Sequence, residues 1–319
     1  MDKHAVKFGP SRRVGVLPVP GFAMMSYAAL TEPMRAANLL AGRELYKVVS
    51  LSTDGTSVQS SGAGAVLADT RLFADLQVDD LFVVAGGDPL AFDDRVVMAC
   101  LARLARSGTI LGGVSGGPVI LARAGLMDGR RMTVHWEHAA ALAEISPHLV
   151  IERSLYVIDR DRVSCAGGTA PMDLMHALIS AHHGETFARQ VSDWFMHTEV
   201  RPSAGPQRSG MVDRLGTTVP AILDAVAAME AHVSAPLDLG AIAARAGVSS
   251  RQLNRLFRQK MNQSVMAHYR DLRLEKARHM LRHSALRLTD IALATGFANS
   301  AHFSRVYAEK YGEPPSAFR

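Results

Sequence analysis

The sequence predicts an α/β sandwich on a mostly parallel sheet, followed by an all-α domain holding two helix–turn–helix units. Three observations predict this. Residues 12–197 alternate short β-branched runs with helical patterns, the pattern of a parallel sheet covered by helices. Residues 239–265, LGAIAARAGVSSRQLNRLFRQKMNQSV, are echoed by residues 288–315, LTDIALATGFANSAHFSRVYAEKYGEPP. Charge is divided as well: residues 214–319 carry 15 Lys+Arg against 8 Asp+Glu, and residues 1–213 carry 20 against 22.

Taken in order, Arg13–Val19, Tyr46–Ser52, Leu81–Ala85 and Thr109–Val114 read as buried parallel strands. Helical patterns separate or follow them at Tyr27–Ala41, Ala91–Arg106, Pro118–Ala124 and His135–Ile145. Pro118 suits the first turn of its helix and Gly125 closes it. Leu149–Val157 and Val163–Ala166 read as a hairpin turned at Asp159-Arg160-Asp161, and Met172–His183 and Glu185–His197 as helices split at Gly184. Thr198–Arg214 loses periodicity and gains Pro, Gly and Ser, as a linker does. The expected division is a first domain over 12–197, a linker over 198–214 and a second domain over 215–319. A helix from Pro220 to His232 opens the second domain and Pro236 breaks it. Met266–His283 forms one long helix between the repeats, with Leu272, Leu274, Ala277 and Leu281 as its apolar positions.

Composition excludes several classes. The 319 residues are enough for two domains with their own cores. No apolar run approaches the roughly 20 residues of a membrane helix, and MDKHAVKFGPSRR lacks an apolar stretch, so a cytoplasmic protein without membrane contact is expected. Cys100 and Cys165 both lie in apolar stretches and read as buried thiols. His176 and His183 lie seven apart on one helix, but no Cys or carboxylate completes a metal set, and they read as helix-end histidines. Neither metal nor cofactor is expected.

In the repeat, Ile242 answers to Ile291, Ala243 to Ala292 and Gly247 to Gly296; after one inserted residue, Arg255 answers to Arg305 and Phe257 to Tyr307. Each copy is a short helix, a turn at glycine and a second helix, the grammar of a DNA-reading unit. The basic charge falls on the same end, as contact with phosphates requires. In the first unit, Ser249 or Ser250 is placed to cap the second helix. Leu253, Leu256 and Phe257 turn inward, leaving Ser250, Arg251, Asn254, Arg255 and Arg258 outward. Arg can fork onto guanine and Asn can pair with adenine; a merely solvated face is the alternative. In the second unit, Phe303, Val306 and Tyr307 turn inward and Ser300, Ala301, Ser304 and Arg305 face out. Ala301 suits a thymine methyl, Ser300 either base type, and Arg305 a phosphate. The first unit is therefore expected to dominate specificity. Two helices on a rigid connector would enter successive major grooves about 34 Å apart, with some bending of the duplex.

The run RLEKARHMLRHSALRLTDIALATGFANSAHFSRVYAEKYGEPPSAFR, with its GF-x-x-x-x-x-F-x-R-x-Y core and G-x-x-P ending, resembles the AraC/XylS transcription regulators. The resemblance implies promoter DNA and RNA polymerase as partners.

In the first domain, Gly113-Val114-Ser115-Gly116-Gly117 has the G-x-S-x-G spacing of a hydrolase nucleophile elbow. His135 is the obvious base and Asp128 the obvious orienter, but Asp128 lies in a DGRR turn directly before a strand, poorly placed to reach His135. A serine without a held base is inert at neutral pH. The motifs GFAMMSYAALTEPMRAAN (21–38), ARAGLMDGRRMTVHW (122–136) and CAGGTAPMDLMHALI (165–179) resemble the ThiJ/PfpI-like fold, also described as flavodoxin-like or class I glutamine amidotransferase-like. Joined to the AraC-type end, the chain resembles the GlxA subgroup of AraC regulators. Enzymes of that fold place a cysteine at the elbow, where this chain has Ser115, and an acid near Met25–Ser26, where it has none; Glu32 reads as an ordinary helix residue.

These departures imply a catalytically silent sensing pocket. Ser115 and Gly116 would offer an anion site at a helix start, and His135 and Trp136 follow on an adjacent segment; a Trp face can receive a quaternary ammonium or guanidinium group. Packing in the core is the alternative for Trp136. Asp173 reads as a helix cap beside Gly167-Gly168-Thr169, with a place in the pocket as the alternative. An amine, quaternary amine or amino acid, such as glycine betaine, carnitine or arginine, would suit the site, and the fold implies a homodimer through the first domain. The expected function is metabolite-controlled transcriptional activation. A hydrolase or deglycase using Ser115, and a DNA-bending protein without an effector, are the competing readings.

Overall fold

The structure, a computed structural model, describes residues 8–208, 210–283 and 286–318. The first seven residues of the charged amino-terminal stretch, and Ser209 of the expected linker, lie outside the described residues. The chain forms two compact units that meet in sequence between Gln207 and Arg208, inside the segment 198–214.

In the first unit the strands are β1 (Arg12–Pro18), β2 (Tyr46–Ser52), β3 (Val58–Gln59), β4 (Ala65–Val66), β5 (Thr70–Arg71), β6 (Asp80–Ala85), β7 (Ile110–Ser115), β8 (Arg131–Met132), β9 (Val150–Ile151), β10 (Tyr156–Asp159) and β11 (Arg162–Cys165). The main sheet has seven strands in the order β10-β11-β7-β6-β1-β2-β5. All its pairings are parallel except β10 with β11. Strands such as β6, buried along its whole length, need apolar residues on both faces.

Two cores follow, one on each face. Helices α1 (Met24–Ala41), α5 (Ala170–His183) and α6 (Glu185–Trp194) bury Leu30, Met34, Leu174, Ile179 and Phe187 against one face. Helices α2 (Arg95–Arg106), α3 (Gly117–Arg123) and α4 (Trp136–Ile145) bury Leu101, Leu104, Val119, Ile120 and Leu142 against the other.

The expected strand Leu149–Val157 is instead broken. Val150–Ile151 pairs with β8, and only Tyr156–Asp159 enters the hairpin with β11. The carbonyls of Glu152 and Ser154 leave the ladder to accept the Thr133 hydroxyl, at 3.0 and 2.7 Å. A buried carbonyl needs a partner, and here a side chain supplies it.

The second unit consists of α7 (Met211–Leu215), α8 (Pro220–Ala231), α9 (Leu239–Arg245), α10 (Ser250–Met261), α11 (Val265–His283), α12 (Leu288–Ala294) and α13 (Ser300–Tyr311), closed by a short 3-10 turn at Pro315–Phe318. Helix α7 forms where a linker was expected, and Met211 and Leu215 pack on the core of the first repeat. That core and the core of the second repeat are separate, and α11 serves both. Val265 and Tyr269 belong to the first; Leu274, Ala277 and Leu281 belong to the second.

Candidate functional sites

In the first repeat, Asp238 caps α9 by accepting the Ala241 N–H at 2.7 Å. Gly247 takes the left-handed conformation at φ 66°, and Ser249, rather than Ser250, caps α10 by accepting the Gln252 N–H at 3.2 Å. Leu253 and Phe257 are fully buried and Leu256 packs half-buried beside them. Arg251, Arg255 and Arg258 are exposed on the opposite face, with Ser250 half-buried at its start. Asn254 differs from its neighbours: half-buried, its Oδ1 accepts the Val265 N–H at 3.1 Å. Pairing with adenine needs both ends of the carboxamide, so in this conformation Asn254 anchors α11 and is not placed for that readout.

In the second repeat, Asn299 caps α13 by accepting the His302 N–H at 2.8 Å. Phe303, Val306 and Tyr307 are buried; Ala301 and Arg305 are exposed, and Ser300 and Ser304 are half-buried. Arg305 makes an exposed i,i+4 contact with Glu309 at 3.4 Å, which leaves its guanidinium at the surface. His302 is exposed on the same helix, its ring 5.9 Å edge-on to Phe297. It is not among the residues expected to face DNA, although it stands three residues before Arg305 and so shares its face.

Arg273 holds the turn of the second repeat to the shared helix α11. Arg273 of α11 donates from Nε to the Thr295 carbonyl at 2.7 Å and from Nη2 to the Gly296 carbonyl at 2.6 Å. Its guanidinium also lies 4.3 Å from the Phe297 ring centroid. These are carbonyls at the end of α12, which has no further helical donors for them. Gly296 itself has φ 71°, and a Cβ there would fall 2.4 Å from Pro236 Cγ, so the second turn is closed against the loop after α8.

In the first unit, Ser115 ends β7 with φ 61° and is nearly buried. This is the strained turn an elbow requires. A Cβ on Gly167 would lie 2.6 Å from the Ser115 Cβ, so only glycine lets that loop close over the serine. Ser26 holds the same loop by accepting the Gly168 N–H at 2.9 Å; this is the neighbourhood in which the enzymes carry an acid. Glu32 lies on the surface and pairs with Arg35.

The expected anion site at Gly116 requires correction. Its N–H donates to the Ala85 carbonyl at 3.0 Å, closing the last parallel pair of β6 and β7, Ala85 with Ser115. Of the expected pocket residues, the structure joins Ser115, His135 and Trp136: the His135 N–H reaches the Ser115 carbonyl at 3.3 Å. The His135 and Trp136 rings lie 5.4 Å apart, and Trp136 is 41% exposed, outside the core. His135 Nδ1 accepts the Glu137 N–H at 3.4 Å. Asp128 pairs instead with His148 Nε2 at 3.1 Å.

Other candidates have structural roles. Burial pushes the Cys165 thiol up to about 12, which keeps it protonated; Cys100 is raised for the same reason. His176 is held between Ser192 Oγ at 2.9 Å and Glu185 Oε1 at 3.2 Å. Buried Asp173 does not cap its helix but takes His197 and Arg201. Among the described residues, no group of three or more His, Cys, Asp or Glu is placed to hold a metal, and no helix is long and apolar enough to cross a membrane.

Comparison with known proteins accounts for both units. The DJ-1/PfpI family matches residues 14–181 and a helix-turn-helix domain family matches residues 242–319. The HTH-type transcriptional regulator GlxA of Rhizobium meliloti (strain 1021) is 44% identical over 310 residues, spanning 97% of this chain and 95% of that protein. The HTH-type transcriptional regulator CdhR of Pseudomonas aeruginosa is 39% identical over 94% of this chain and 89% of its own length. A crystal structure of an AraC family transcriptional regulator from Pseudomonas putida covers 58% of this chain and 99% of its own, at 30% identity and a TM-score of 0.52.

Proposed function

The chain belongs to the GlxA-type AraC family of transcriptional regulators, with a DJ-1/PfpI domain before an AraC-type helix–turn–helix region, and on that premise we propose that it is a metabolite-controlled activator. The effector is an amine, quaternary amine or amino acid held at Ser115, His135 and Trp136, and the protein works as a homodimer through its first domain. One observation carries the reading: Trp136 stands outside the core beside His135, whose backbone is tied to the Ser115 turn. An exposed indole face attracts a cationic group, while the Ser115 hydroxyl and the His135 ring supply polar partners for the other end.

The Gly116 hydrogen bond argues against the hydrolase or deglycase alternative. A nucleophile elbow stabilises its oxyanion with the N–H of the next residue, and here that N–H is satisfied by Ala85. At the DNA, Ser250, Arg251, Arg255 and Arg258 supply most of the base reading. Ser300, Ala301, Ser304 and Arg305 set grip and register, and the bound dimer presents a surface to RNA polymerase.

The test is thermal denaturation of the full chain with glycine betaine, carnitine or arginine. A true effector raises the midpoint progressively with concentration, Trp136→Ala abolishes the rise, and Ser115→Ala weakens it but keeps promoter activation at saturating effector. Absence of any rise, together with an ester or glycated-amine turnover that Ser115→Ala removes, would establish the enzyme instead.

A further inference from the structure

The segment leading out of the first unit does not hang free. Fully buried Asp173, in the first turn of α5, accepts His197 Nε2 at 2.9 Å and the Arg201 backbone N–H at 2.8 Å on Oδ1. Its Oδ2 accepts Arg201 Nε at 3.0 Å and Nη2 at 2.6 Å. The same Nη2 reaches Thr169 Oγ1 at 2.9 Å, directly after the Gly167-Gly168 loop that closes over Ser115. Further on, Ser203 accepts the Leu155 N–H at 2.8 Å. Gln207 then donates from Nε2 toward Thr133 Oγ1 at 3.0 Å, the Val134 carbonyl at 3.1 Å and the Ser154 carbonyl at 2.7 Å. Val134 immediately precedes His135 and Trp136.

The outgoing segment therefore grips both walls of the candidate effector site, one through Arg201 and the other through Gln207. The second grip is imperfectly satisfied. A carboxamide has two N–H donors for these three acceptors, and among the described residues buried Gln207 Oε1 has no hydrogen-bond partner. A buried unpaired acceptor raises the free energy of the docked state, which offsets part of what these contacts contribute. After Gln207, only residues 208–210 precede α7.

We propose that residues 197–207 form the strap that transmits effector binding to the DNA-binding unit, with Arg201 and Gln207 as its positioning residues. The inference rests on the effector reading above and names its route of regulation. A ligand that shifts the Gly167–Thr169 wall or the Thr133–Trp136 wall changes how firmly the strap is docked. The docked and released strap is the two-state element that such coupling requires.

Two measurements on the full chain test it. In amide hydrogen exchange without any ligand, Gln207→Ala raises exchange by about tenfold at the remote 167–169 and 201–203 as well as at 133–136. A rise confined to 205–207 and its direct contacts overturns the strap. In the second, glycine betaine is titrated and promoter-duplex affinity is measured with and without it. Arg201→Ala and Gln207→Ala keep glycine betaine binding within about threefold of wild type but lose its effect on DNA affinity. Variants that bind glycine betaine and retain the full effect also overturn the strap. If glycine betaine, carnitine and arginine all fail to bind the wild type, the effector reading falls, and the exchange measurement still decides the strap. Arg201→Lys, which keeps a charge beside Asp173 but lacks the fork to reach Thr169 as well, substitutes if Arg201→Ala does not fold.

Discussion

Replacing Arg273 tests whether the two helix–turn–helix units act as one rigid body. Its fork holds the Thr295 and Gly296 carbonyls at 2.7 and 2.6 Å, and hydrogen bonds from a charged group contribute about 1.5–3 kcal/mol each. The stacking at 4.3 Å over Phe297 adds about 0.5–2 kcal/mol. Against these stands desolvation, which lowers the Arg273 pKa and offsets part of the gain. A net loss of about 3 kcal/mol is expected for Arg273→Ala, and roughly half that for Arg273→Lys, which reaches one carbonyl. Urea denaturation of the full chain reads the stability change. Because the two repeat cores are separate and the groups Arg273 meets belong to the second repeat, the loss falls on how that repeat is held to α11. Affinity for a duplex with two half-sites one turn apart should drop about 10–100-fold. Affinity for a duplex with only the first half-site should stay within about twofold. Equal losses on both duplexes, or no loss on either with an unchanged denaturation midpoint, would refute the reasoning.

Three further outcomes are expected. Arg251→Ala should reduce discrimination at one base position by about 1–3 kcal/mol, whereas Arg305→Ala should weaken all duplexes alike and reduce the salt slope by about 0.9; a uniform loss from both changes contradicts this division. Asn254→Ala should lower stability by about 1 kcal/mol through the lost Val265 N–H partner, without changing preference for adenine at any position of a randomised site. Burial holds the His182, His183 and His268 imidazoles below their ordinary value of 6.5. The unfolded chain therefore binds more protons, and stability intact above about 6.5 falls as pH drops toward the depressed folded values. His183 Nδ1 also accepts the Gly9 N–H at 3.2 Å, a bond that protonation removes. The urea midpoint should decline from pH 7 to pH 5, and His183→Gln should flatten part of that decline; a midpoint that rises on acidification contradicts it.

What could be read from the sequence was what short-range spacing determines. Leu253 with Phe257, and Phe303 with Val306 and Tyr307, lie within a turn or two of one another, so helical periodicity alone placed them inward. The split at Gly184 and the strained turn at Ser115 likewise depend on neighbours. What stayed hidden depends on partners distant in sequence. Gly116 looked free because its acceptor, Ala85, lies 31 positions earlier, on the neighbouring strand. Asn254 looked like a reader because the N–H it accepts belongs to the next helix. The stretch 198–207 looked like a tether because its anchors, Asp173, Thr133 and Ser154, come from other elements. Composition reports loss of periodicity and not where the displaced polar groups find partners.

The elbow itself shows how a strained turn is held in place by its surroundings. A non-glycine residue at φ 61° costs about 1–3 kcal/mol and lasts only where the surroundings over-determine it. Here the Gly116–Ala85 bond fixes the residue after Ser115, the His135 N–H fixes its carbonyl, and Gly167 packs on its Cβ. Ser26 and Arg201 in turn hold the loop that carries Gly167. In an enzyme such restraint orients a nucleophile. In this chain the same restraints reach Thr169 and Val134, to which Arg201 and Gln207 of the proposed strap are bonded. On the proposal above, the strained turn would stiffen the site at which a small ligand acts on the strap.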